Sequence, residues 1–225
     1  MNLTQHLAQF LNSGGHRIGQ IEIRSNPANQ EWMLCHVDDA DKLTDPEMTA
    51  LEIHRDPFAA RDLSTFAADG SYRFTKGQTN LISGWIMILS TVAEIRQALD
   101  LFYPAAVGLW VAHAQGSIAV ENLRDKLNRQ TGMYRSARFI SDAGAQELVT
   151  KICGPAHQCA KRILWQIDED TPLNDSEASR FNGIPGKVAE NAAIPLLCRE
   201  ACNHFVSECK KVSSAERKAA SNTEA

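Results

Sequence analysis

The chain has 225 residues, 44% hydrophobic and 22% charged, with a formal net charge of −4. That is ordinary globular composition for one large or two small domains, and it excludes wholesale disorder and a fibrous repeat. The acidity argues against a dedicated nucleic-acid binder. The longest apolar run, residues 81–89, contains Ser83 and Gly84 and is too short for a bilayer, so no membrane partner is expected.

The first eleven residues have no basic segment, no long apolar core and no small-residue cleavage site. A reducing cytoplasm is therefore the expected location, where clustered cysteines serve as metal ligands or catalysts rather than disulfides.

In chain order, residues 2–12 read as a short amphipathic helix ended by Gly14-Gly15. Gly19 to Arg24 and Glu31 to Val37 alternate as strands around a turn-rich 25–29, which suggests a hairpin. Residues 38–69 are acidic and turn-rich, with a short helix expected between Pro46 and Pro57, and Phe74 closes a further strand near Tyr72. Leu81, Trp85, Ile88, Leu89 and Val92, then Ile95, Leu99 and Phe102, fall at helical spacing, so residues 80–103 read as helix up to Pro104.

A domain boundary is expected there. Leu109-Trp110-Val111 fits strand or helix, and Ser117 to Arg129 reads as helix. Ser141-Asp142 caps a helix reaching about Ile152, and residues 160–167 read as another. Pro195 is placed to open a last helix to about Val212. Residues 213–225 are small and polar and read as a disordered tail.

Five of the six cysteines lie in the last third: Cys153, Cys159, Cys198, Cys202 and Cys209. The first four form C-x5-C and C-x3-C pairs separated by 38 residues. A helix opened by Pro195 would put Cys198 and Cys202 on one face, with β-carbons roughly 5–6 Å apart. That suits two thiolates on neighbouring corners of an iron–sulfur cubane, while a Gly154-Pro155 turn would let Cys153 and Cys159 curl round it and aim N–H groups at sulfur. Residues 120–165 carry eight basic and four acidic residues. Lys151, Lys161, Arg162 and Arg199 stand within a few residues of a cysteine, where they would lower thiolate pKa values and offset cluster charge. Gly154 and His157 fall inside the C-x5-C loop. Structural zinc, disulfides and inert buried thiols are the competing readings. Cys209 and Cys35 read as packed thiols, and His204 as a surface residue.

The C-x5-C…C-x3-C spacing is similar to the [4Fe–4S] motif of siroheme-dependent sulfite and nitrite reductases over residues 153–202. The resemblance implies the cluster and, at the position of Cys202, a cysteine that also bridges to siroheme iron. The chain is far too short for that reaction. A second resemblance covers more. The run Asn122-Leu-Arg-Asp-Lys-Leu-Asn-Arg-Gln-Thr-Gly-Met-Tyr-Arg135, the C-x5-C pair and Leu197-Cys-Arg-Glu-Ala-Cys-Asn-His-Phe-Val206 look like the C-terminal extension of CbiX-type cobalt chelatase homologues. There a chelatase-like region precedes a small stabilising domain and a [4Fe–4S]-binding domain. The resemblance implies the last two parts here, and no chelatase activity.

The expectation is therefore an α+β protein. A small N-terminal α/β supporting domain spans residues 1–104, and a mainly helical [4Fe–4S] domain spans 105–212. Cys153, Cys159, Cys198 and Cys202 are the expected ligands. Arg124, Arg129, Tyr134, Arg135 and Arg138 are candidates for contact with an anion, a tetrapyrrole or a partner. The function expected is a redox or regulatory accessory protein linked to tetrapyrrole metal chelation, its partner a CbiX-type chelatase or another redox protein. An enzyme holding a tetrapyrrole or other anionic substrate beside the cluster and a zinc-stapled interaction module are the alternatives. No Gly-rich phosphate loop, H-E-x-x-H or G-x-S-x-G motif occurs.

Overall fold

Helix α1 (Leu3–Asn12) begins in a capping box. The Gln5 amide donates to Asn2 Oδ1 at 2.9 Å and the Asn2 amide donates to Gln5 Oε1 at 2.8 Å. Leu7, Phe10 and Leu11 form its buried stripe. This computed structural model describes residues 1–44, 50–65, 81–130, 139–153, 159, 161–171 and 193–223. The expected strand at Tyr72 and Phe74 lies outside them, as do Tyr134, Arg135, Arg138, Gly154 and His157.

The expected hairpin forms from β2 (Ile21–Asn26) and β3 (Glu31–His36), paired antiparallel from Ile21↔His36 to Asn26↔Glu31. It is the centre of a six-stranded sheet. The two-residue β1 (Arg17–Ile18) adds antiparallel to β2. On the other side β5 (Trp85–Leu89) pairs antiparallel with β3, and β4 (Glu52–His54) lies parallel to β5 at the edge. The far edge is β9 (Ala193–Ile194), parallel to β1, so the chain returns to this sheet late in the sequence. Gly19 makes that return fit. Its φ is +56°, and a β-carbon there would lie 2.7 Å from the Leu196 side chain.

The helix expected over 80–103 divides in two. Residues 85–89 are a buried strand, because an uninterrupted Trp-Ile-Met-Ile-Leu run suits a central strand as well as a helical stripe. The helix begins only at the Thr91–Glu94 capping box, giving α3 (Val92–Phe102). Trp85 stacks on Phe102 with centroids 5.1 Å apart. In this acidic segment a short helix lies after Pro57, as α2 (Ala59–Thr65), and a 3-10 turn covers Val37–Thr44.

Pro104 is no domain boundary. Ala105 takes φ +62° and the chain resumes as α4 (Ala106–Ala114), whose Trp110 meets Phe10 edge-on at 5.8 Å. The first compact unit comprises Met1–Phe74, Thr79–Ile118 and Ala178–Leu196, and the second comprises Thr75–Gln78, Ala119–Glu177 and Leu197–Ala225.

In the second unit, β6 (Glu121–Asn122) precedes α5 (Leu123–Arg129), which starts where Asn122 Oδ1 accepts the Arg124 amide at 2.9 Å. The expected helix from Ser117 therefore begins later. α6 (Asp142–Leu148) has the expected Ser141 cap and loosens into a π-helical turn, Val149–Cys153. Residues 160–167, expected as helix, contain β7 (Lys161–Ile163) and β8 (Trp165–Gln166). β8 lies parallel to β6, with Trp165 opposite Glu121. β7 pairs with β10 (Leu196–Cys198).

Pro195 does not open the last helix. It sits between β9 and β10, where its missing N–H suits a junction between two short strands. The helix, α7 (Asn203–Thr223), starts eight residues later. It also runs through the tail expected to be disordered. Phe205, Cys209 and Ser213 are buried at four-residue spacing, and Glu216 accepts from both Ser141 N and Ser141 Oγ at 2.8 Å. The fold is thus α+β, with a mixed-sheet N-terminal unit and a C-terminal unit whose helices carry small two-stranded sheets.

Candidate metal centre

The four expected cysteines reach one place from three kinds of backbone. Cys153 ends the π-helical turn after α6, where the wider winding turns its side chain inward among buried residues. Cys159 lies two residues before the start of β7. Cys198 ends β10, and Cys202 sits just before α7. The C-x3-C pair therefore does not share a helix face, and instead it spans a strand-to-helix turn.

Together with Ile152, Ile163, Trp165, Phe205, Lys161 and His204, the four thiols line one small recess. Its free volume is about 10 Å3. Ile152, Ile163 and Phe205 are at most 3% exposed and make the walls dry.

Sulfur in this recess receives hydrogen bonds. The Phe205 amide donates to Cys202 Sγ at 3.4 Å, and the Lys161 amide donates to Cys159. Cys198 Sγ donates to the Glu200 carbonyl at 2.9 Å. Burial pushes the Cys153 thiol far above its ordinary value, helped by repulsion from the neighbouring Cys159, Cys198 and Cys202. Burial likewise raises Cys159, against the Lys161 N–H. Cys198 is pushed up to about 11 by burial, opposed by the Lys161 charge.

Among the described residues, no three thiol, imidazole or carboxylate groups converge closely enough to hold one metal ion. Tetrahedral zinc, with Zn–S near 2.3 Å, would draw its sulfurs to within roughly 4 Å of one another. A cubane takes each thiolate on a different iron and spreads them wider. Four cysteine donors around an apolar space, with N–H donors and a cation beside them, fit a [4Fe–4S] cluster.

Of the basic residues expected near the cysteines, Lys161 lines the recess. Lys151 and Arg199 are exposed and Arg162 is partly buried. Lys151 and His204 act more weakly than the Lys211 hydrogen bond to hold the Glu208 carboxyl below its ordinary range. His204 was expected on the outer surface and instead lines the recess, because α7 begins directly after Cys202. Cys209 is fully buried in the core of this unit and does not line the recess, and Cys35 is fully buried on β3.

The candidate anion-binding arginines that are described carry carboxylate partners. Arg124 pairs with Asp142 and donates to the Ile140 carbonyl at 2.9 Å, and Arg129 pairs with Glu121.

Reasoning from sequence missed Trp165 and Phe205 as recess walls, with ring centroids 5.1 Å apart. It also missed the clasp from α5. There Lys126, 3% exposed in its side chain, reaches Glu121 at 2.8 Å and Glu200 at 3.8 Å, and Gln130 Nε2 donates to the Ala201 carbonyl at 2.7 Å. The available signal was Glu200-Ala201 between two ligand candidates, which needs fixing from elsewhere.

Residues 4–114 match the family described as the DR2241 stabilising domain, and residues 115–211 match the 4Fe-4S iron-sulfur cluster binding domain. No curated protein matches the chain. Among solved structures it is similar to DR2241 from Deinococcus radiodurans, a multi-domain protein with structural similarity to chelatases and two additional novel domains. The TM-score is 0.66 at 22% identity, over 94% of this chain and 41% of that one, so this chain spans less than half the length of its relative. At that identity the likeness speaks for the fold. Between residues 4 and 211 the chain thus carries the pattern of a stabilising domain followed by an iron–sulfur domain, and the cofactor of the second is a [4Fe–4S] cluster.

Proposed function

We propose that Cys153, Cys159, Cys198 and Cys202 hold the [4Fe–4S] cluster and that the chain is a redox accessory protein, passing or sensing an electron for a partner. The observation that carries this reading is the single dry recess bordered by all four thiols. Bound there, the cluster supplies one-electron chemistry. The chain's residues do the rest. Ile152, Ile163 and Phe205 exclude water. The N–H groups of Lys161 and Phe205 hold two sulfurs, and the Lys161 charge balances negative charge gained on reduction.

The partner we propose is a chelatase of tetrapyrrole metal insertion. The support is that the similar protein joins this pair of domains to a chelatase-like remainder. The enzyme reading gains little from Arg124 and Arg129, whose charges already meet Asp142 and Glu121. The proposed location is the cytoplasm, in keeping with six free cysteines. Among the described residues no helix is long and apolar enough to cross a membrane.

The test is anaerobic purification with iron, sulfide and zinc analysis and an absorption spectrum before and after dithionite. About four irons and four sulfides per chain, with a band that bleaches, are expected for four-cysteine ligation. One zinc and no colour would overturn the redox reading. Unchanged iron in Cys153→Ser or Cys198→Ser would overturn the ligand set. For the partner, reduced protein should bind a chelatase differently from oxidised protein; no binding in either state would remove the chelatase link.

A further inference from the structure

Trp165 stands in the wall of the recess beside the four thiols, 1% exposed, with its ring packed against Phe205. Its backbone lies in β8, tied by register to Glu121. Its indole Nε1–H is buried and has no hydrogen-bond partner among the described residues. A buried donor without an acceptor is costly, and native structures rarely leave one. The neighbouring walls, Ile152, Ile163 and Phe205, offer no side-chain acceptor. The side-chain acceptors that line the recess are the four cysteine sulfurs and the His204 imidazole, and the sulfurs are the more numerous.

We propose that the Trp165 indole N–H donates a hydrogen bond to a sulfur of the bound cluster and thereby sets the cluster's reduction potential. The inference rests on the reading that the cluster occupies this recess. An electron added to a [4Fe–4S] cluster increases the negative charge on its sulfurs. A donor aimed at one of them therefore stabilises the reduced form more than the oxidised form, and it raises the potential. In dry surroundings the effect is not screened by water. Trp165 is in this sense a positioning and tuning residue, and it carries no electron itself.

The experiment compares the full-length wild type, Trp165→Phe, and the wild-type chain carrying β-(3-benzothienyl)alanine at position 165, which keeps the ring shape and removes the N–H. Iron and sulfide content and the midpoint potential are measured on each. Both replacements should lower the potential, so that at a fixed applied potential the reduced-to-oxidised ratio falls about tenfold, 59 mV for a one-electron couple. The iron–sulfur stretching bands of the wild type should shift in D2O, and part of that shift should vanish in the benzothienyl protein. Unchanged potential and unchanged D2O shift in that isostere would overturn the proposal, even if Trp165→Phe altered the potential through packing. Failure of the isostere alone to retain iron would count for the N–H, since the shape is preserved. A wild type without a cluster would instead overturn the functional reading on which the proposal stands.

Discussion

The Phe205 backbone N–H donates to Cys202 Sγ across 3.4 Å, while the Cys202 carbonyl accepts the Val206 amide at 2.9 Å. Cys202 is therefore both a ligand candidate and the N-cap of α7, with its sulfur doing what a serine oxygen does at other helix starts. Cys202→Ser should lose the cluster and keep a cap acceptor; Cys202→Ala should lose both. After iron chelation the Ala variant should unfold about 1 kcal/mol more easily than the Ser variant. Urea unfolding with iron analysis checks this, and full iron content in either would remove Cys202 from the ligand set.

The clasp from α5 gives a second test. Lys126 is nearly fully buried and bridges Glu121 and Glu200, the residue midway between Cys198 and Cys202. Lys126→Ala leaves Glu121 with Arg129 still beside it. The cost should therefore fall below that of breaking an isolated buried pair, at about 2 kcal/mol. The turn holding Cys198 and Cys202 should loosen, and iron should be lost faster to a chelator. Lys126→Met, which keeps the packed stem, should cost less. Equal iron loss in wild type and Lys126→Ala would show that the turn does not depend on this cation.

How far the sequence disclosed this arrangement depends on the strength of local signals. The amphipathic pattern ended by Gly14-Gly15, the Ser141 cap and the alternation around residues 25–29 gave α1, the start of α6 and the β2–β3 hairpin, because helix ends and tight turns are set by a few neighbouring residues. The cysteine spacing disclosed the cluster. Residues 85–89 and 160–167 were misread, since a short buried apolar run satisfies helix and strand periods alike, and only pairing with β3, β10 or β6 decides. Pro195 was misread because proline suits a strand junction as well as a helix start. The recess wall was illegible, because Trp165 reaches the cysteines through non-local pairing.

Cys35 supplies a pH test independent of the cluster. Burial, then the charges of Glu22 and Asp39, push its thiol from 9.0 up to about 12. The folded chain thus holds a proton that the unfolded chain releases above pH 9. The stability from this group is complete below pH 9 and is lost as the pH rises toward 12, with a slope of up to about 1.4 kcal/mol per pH unit. Cys35→Ala should be less stable at neutral pH by about 1 kcal/mol, from the lost packing. It should also show a shallower decline between pH 9 and 11. Urea midpoints across that range decide it, and identical slopes would exclude Cys35 as the source.

The end of the chain yields the last test. A disordered tail beyond Val212 could be removed at no cost. In the structure, Ser213 is 2% exposed, Glu216 accepts two bonds from the Ser141 cap, and the Arg217 guanidinium lies 4.6 Å from the Phe139 ring centroid. The Glu216 contacts act where α6 begins, the helix whose continuation ends at Cys153. Deleting residues 213–225 should destabilise the protein by about 1–3 kcal/mol, the sum of an exposed cation–π contact and charge-assisted bonds at a cap. Glu216→Gln in the full chain should keep most of that stability, because the amide oxygen can still accept the Ser141 N–H while the Ser141 hydroxyl can accept from the amide NH2. Hydrogen exchange at the Ser141 and Gly144 amides should quicken in the deletion and stay near wild type in Glu216→Gln. Unaltered exchange at both amides in the deletion would show that the last turns of α7 do not hold α6.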